Sequence, residues 1–171
     1  MAHKGIANIS VSALRDEVKA RFSGSLEHVP STSTNQYWVY KTATAAISPA
    51  VLLATTDDFV GNINNETVAA GDKVIWLAIK NLGTQDTAGS LKTTNGIMMN
   101  FSGVNPTFDG LIDAQDNNIV IGPNELFVVK LNGVLQANLK VGTCVLTSGV
   151  PSAVGTTAVA YQLAAIVEDI G

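Results

Sequence analysis

The chain has 171 residues, of which only 14% are charged, with a net charge of −4 and a single cysteine. This length accommodates one domain with an appended arm, and one cysteine excludes both an internal disulfide and a cysteine-built zinc site. The charge is uneven: residues 1–27 carry +1, residues 28–171 carry −5, and no arginine follows Arg21. The body is therefore ill suited to nucleic acid, whose binding rests on neutralised phosphates.

Met1 to Ile9 is short and mixed, without the apolar core of a signal peptide. No run approaches the ~20 residues that span a bilayer. Synthesis in the cytoplasm, with no membrane partner, is the expectation. Val11, Leu14, Val18 and Phe22 follow at spacings of three and four, one apolar stripe of a helix over about 10–22. Gly24 is placed to stop that helix, which alone is marginal and must dock on something. It either packs on its own domain or serves as an arm docking on a neighbouring subunit or a larger scaffold. Ser25 to Asn35, with Pro30 and a Ser/Thr cluster, reads as linker. Residues 1–35 are thus an arm and 36–171 the body.

From Gln36 the pattern becomes β. Strands are expected at Tyr37–Tyr40, Ala50–Thr55 and, as a short edge, Thr67–Ala69. The Gly71-Asp72 turn opens Lys73–Leu82, a Val/Ile/Trp-rich run that is apolar on both faces and therefore central. Thr84–Asn95 is a polar loop around Gly89, and Gly96–Ser102 is a strand with Met98 and Phe101 in the core. Val104–Asp116 is irregular, and Asn118–Ile121 is short. Gly122-Pro123-Asn124 is a turn before the strand Glu125–Leu131. Asn132-Gly133 suits a type I′ hairpin. Leu139–Thr147 and Ala158–Val167 are the last strands. About eight strands on loops too short for crossover helices make a mainly β body, an antiparallel β-sandwich or jelly roll.

Candidate chemistry is sparse. Both histidines, His3 and His28, lie in the arm, so the strands offer none for a cupin-type metal site or a histidine-based triad. Asp109, Asp113 and Asp116 could contribute to a calcium site, but their spacing is not that of an EF-hand; a polar turn explains them, as it does Asp57 and Asp58. Glu125 paired with an aspartate is the only glycosidase-like option, and nothing favours it. Cys144 lies in an apolar run and reads as a buried, inert thiol. No glycine opens a helix after a strand, so no phosphate-cradling loop is present. Tyr37, Trp38 and Tyr40 are core or interface residues, or else a sugar-stacking face. No catalytic residue, metal or cofactor is expected.

Three segments carry a resemblance. Ala70-Gly71-Asp72-Lys73-Val74-Ile75-Trp76-Leu77-Ala78-Ile79-Lys80-Asn81-Leu82-Gly83-Thr84, then Gly96-Ile97-Met98-Met99-Asn100-Phe101, then Ile121-Gly122-Pro123-Asn124-Glu125-Leu126 resemble, in order, small virion structural proteins of tailed bacteriophages. The resemblance implies a non-enzymatic capsid decoration, or cement, protein on the head surface. Its partner would be the major capsid protein, and it would form a homo-oligomer, trimer or dimer. Val11, Leu14, Val18 and Phe22 of the arm would then bridge to a neighbour or to the shell. A tail or baseplate component, or a carbohydrate-binding receptor module, would also be β-rich and remains the alternative.

Overall fold

The computed structural model describes residues 5–12, 21–29, 35–55, 57, 68–103 and 118–170. Among them are eleven strands, one 3-10 turn (Gln136–Asn138) and no α-helix. The strands are β1 Gly5–Ser12, β2 Arg21–His28, β3 Gln36–Ala45, β4 Ala50–Val51, β5 Lys73–Asn81 and β6 Gly96–Asn100. They continue with β7 Ile119–Ile121, β8 Leu126–Leu135, β9 Lys140–Thr147, β10 Val150–Val154 and β11 Val159–Glu168. Every strand pairing is antiparallel.

Two larger sheets form the body. One has the order β3-β11-β5-β8; the other runs β10-β9-β6-β7, with β4 also on β9. Alternation along the strands turns Tyr37, Val39, Leu77, Ile79, Leu163, Ala165 and Val167 of the first sheet into one core with Ile97, Met99, Ile121 and Val141 of the second. Leu77, Ile79, Leu163 and Ile97 are fully buried, and each such side chain contributes about 1.5–3 kcal/mol relative to exposure. β5 is an interior strand; Leu77 and Ile79 are buried on its inner face, while its outer face grades from buried Trp76 through half-buried Ala78 to exposed Lys80. The Gly71-Asp72 turn before it is held by Asp72, whose buried carboxylate accepts the Tyr37 hydroxyl at 2.9 Å and the Ala69 amide at 2.8 Å.

The expected helix over 10–22 is overturned. β1 and β2 pair as an antiparallel ribbon in register from Gly5↔His28 to Ser12↔Arg21. Val11 and Phe22, assigned to one helical stripe, are cross-strand partners in that ladder; Leu14 and Val18 lie outside the described residues. Ser, Val, Ile and Phe are weak helix formers, and pairing satisfies the backbone of two such segments better than one marginal helix would. Gly24 is a strand residue and not a helix stop, and Ser25–His28, expected to be linker, belongs to β2.

Other expectations fail more locally. The strand expected over Ala50–Thr55 shrinks to Ala50–Val51, and Val68–Ala69 is not a strand, because Asp72 draws this stretch into its turn. Asn132-Gly133 does not reverse the chain: β8 runs through it, and pairing with β5 slips between Val74↔Val134 and Trp76↔Lys130. Gly133, at φ 71°, supplies the left-handed residue of a bulge, the same backbone a type I′ turn would have used. The two-residue hairpin falls instead at Ser148-Gly149, both with positive φ, between β9 and the unforeseen β10. The Val104–Asp116 segment is outside the described residues.

Candidate functional site

The ribbon is the element whose placement matters most, because it is hydrogen-bonded into neither larger sheet. Its root is tied to β3: the His28 ring nitrogen Nε2 lies 3.1 Å from Gln36 Oε1, and Gln36 Nε2 donates to Glu168 Oε2 at 3.1 Å. β2 also packs against β8. β3 and β8 are the opposite edges of one sheet, so β2 reaches both, through His28 at one edge and through its packing on β8 at the other. His28, weighed as an ordinary arm residue, is thus half-buried and part of the anchor.

The outer face of that sheet carries a cross-strand row of Trp38, Ile166, Trp76 and Lys130. Trp38 and Trp76 meet edge to face, with centroids 5.5 Å apart. Trp76 is 4% exposed and Ile166 fully buried although both face away from the main core. Trp76 Nε1 finds no hydrogen-bond partner among the described residues. The next row holds exposed Tyr40 and half-buried Ala164, Ala78 and Val128. Tyr37 does not join this face; it points inward to Asp72. Of the three aromatics singled out in the sequence, Trp38 and Tyr40 therefore share a surface and Tyr37 does not. Edge strand β8 adds exposed Leu126 and Leu135.

The acids have structural work. Glu125 accepts the Gly122 amide at 2.6 Å and closes the Gly122-Pro123-Asn124 turn. Asp86 ties the 84–92 loop by accepting the Ser90 and Leu91 amides at 3.0 and 3.1 Å, and these hydrogen bonds hold its carboxyl below the usual range. Asp58, Asp109, Asp113 and Asp116 are outside the described residues. Among the described residues no group of three or more His, Cys, Asp or Glu side chains is placed to hold a metal ion. Cys144 is fully buried, and desolvation pushes its thiol up to about 11, as expected of an inert cysteine.

One arrangement was not singled out in the sequence. Lys41 sits at an inward-facing register position of β3, between Val39 and Ala43, and is only 5% exposed. Its Nζ lies 2.5 Å from Asp57 Oδ2 and 5.7 Å from the centre of the Tyr161 ring on β11. Asp57 Oδ2 also accepts the Ala54 amide at 2.6 Å. Burial lowers the Lys41 pKa, opposed by its hydrogen bond to Asp57 and by that residue's charge. Burial also raises the Tyr161 phenol, with a further push from the Asp57 charge. The only sequence signal was a charged residue at an inward position of the alternating run Tyr37–Ala45, and it is readable only once the strand is known to continue beyond Tyr40.

No protein-family model, curated protein or solved structure matches this chain.

Proposed function

We propose that this chain is a non-enzymatic virion structural protein, a decoration or cement protein that binds the outer surface of a tailed-phage capsid. The observation that carries the reading is the β1–β2 ribbon, an arm outside both sheets of a weakly charged β body. Two-stranded ribbons are marginal alone and need a surface to pack on. Eight residue pairs span about 27 Å, against roughly 14 Å between the first and fourth strands of a sheet. The ribbon is long enough to cross its own sheet edge to edge and still reach a neighbour. In this reading the body is a jelly-roll-like sandwich, the chain forms a dimer or trimer, and the ribbon bridges to another copy or to the major capsid protein. A protein that binds only the assembled shell stabilises it by mass action. The role is exercised on the virion, after synthesis in the host cytoplasm.

Trp38 and Tyr40 on the outer sheet face favour a second reading, a tail or receptor-binding module that stacks sugar rings. Counting copies of this chain against the major shell protein in purified particles separates the two. Hundreds of copies, in a simple ratio to the shell protein, support decoration. A handful moves the chain to the tail, and absence from the particle overturns both readings.

A further inference from the structure

We propose that Lys41 and Asp57 close an intramolecular isopeptide bond that staples β3 to the 52–57 segment. The geometry of this pair stands apart from the capsid reading. The 2.5 Å contact between Nζ and Oδ2 puts Asp57 Cγ no further than about 3.7 Å from Nζ, one carbon–oxygen bond beyond the contact. That approaches the ~3–3.5 Å separation of a near-attack arrangement. The Lys41 side chain is nine-tenths buried, with the Tyr161 ring beside it, and burial disfavours its charged form. The reacting pair is neutral, with one proton passed from the ammonium to Oδ1 of the carboxylate, the oxygen that will leave.

The step balances without a co-reactant. The Nζ lone pair attacks Cγ of the protonated carboxyl, and negative charge develops on Oδ2. The Ala54 amide already donates to that oxygen at 2.6 Å, the placement required of an oxyanion donor. The Nζ–Cγ bond forms, the Cγ–Oδ1 bond breaks, and Oδ1 leaves as water with a proton from Nζ. The products are one amide and one water. Positioning supplies the drive: well-oriented intramolecular partners reach effective concentrations of about 10⁵–10⁸ M.

Intact-mass measurement on the purified full-length chain tests this directly. The expected mass is one water below that of the sequence, and peptide mapping should recover the Lys41 and Asp57 peptides joined. Lys41→Arg and Asp57→Ala should each restore the full, uncross-linked mass. Asp57→Asn should close the same bond by releasing ammonia, reaching the same final mass as the parent. An unmodified parent mass, with both residues in linear peptides, would overturn the proposal and leave a permanent ion pair. Loss of water confined to a linear Asp57 peptide, the mark of a cyclic imide, would overturn it equally.

Discussion

Substituting Gly155 by alanine should be among the most damaging single-methyl additions to this protein. Gly155 follows β10 and donates its amide to the Thr143 carbonyl of β9 at 2.8 Å. A β-carbon placed there would meet Thr143 Oγ1 at 2.0 Å, its Cβ at 2.6 Å and its carbonyl carbon at 2.7 Å. Rotating the threonine side chain moves only the first of these atoms, so the backbones of β9 and the residues after β10 must separate. Overpacking of this kind costs about 1–3 kcal/mol, and losing the amide hydrogen bond adds about 1 kcal/mol. A destabilisation of about 2–4 kcal/mol lowers the melting temperature of a chain this long by roughly 5–15 °C. Urea and thermal unfolding would measure it, with Gly24→Ala as control. Nothing lies within 4 Å of a β-carbon at Gly24, and alanine in a strand interior there should stabilise by about 0.5–1 kcal/mol. A Gly155→Ala change within about 0.5 kcal/mol of the parent, or full rescue by Thr143→Ala, would refute the argument.

Two further outcomes follow from the ribbon and the buried thiol. Removing residues 1–29 in a Trp38→Phe background should shift Trp76 emission to longer wavelength if the ribbon, which packs on neighbouring β8, also shields this face; unchanged emission would show that the ribbon does not shield Trp76. Cys144 titrates near 9.0 when unfolded and is pushed up to about 11 in the fold. The unfolded chain therefore releases its proton first, so this stabilisation is complete below pH 9 and is lost as pH rises towards about 11. Cys144→Ala should flatten that part of the stability profile, and an unchanged alkaline slope in the variant would contradict the assignment.

The β class and the interior position of β5 are legible because Val74–Ile79 is a continuous apolar run led by β-branched and aromatic residues. The ribbon was not legible. Val11 and Phe22 satisfy helical spacing by coincidence, and the pairing that overrides it joins two separate strands, about which periodicity carries no information. Asn132-Gly133 failed for a related reason: the dipeptide specifies a left-handed glycine, and both a hairpin and a bulge use one. Lys41 is inconspicuous in the sequence because the strand that aims it inward runs five residues beyond the Tyr40 expected to end it. Asp57 reads locally as turn chemistry, since nothing local joins it to a lysine sixteen positions earlier.

The placement of β11 has a consequence for how the molecule is made. This strand lies between β3 and β5, and its Glu168 is linked to Gln36, 132 positions earlier. While the chain emerges from the ribosome, β3 and β5 have no shared neighbour and their facing edges stay open. The sheet can close only after residues 159–168 arrive. Folding is then dominated by distant pairings, which places it in the slow range of roughly milliseconds to seconds. A nascent chain stalled before β11 presents two unsatisfied strand edges to its neighbours on the same message. High-level synthesis therefore runs its greatest risk of mispairing before completion, and slower elongation or lower temperature should raise the soluble yield.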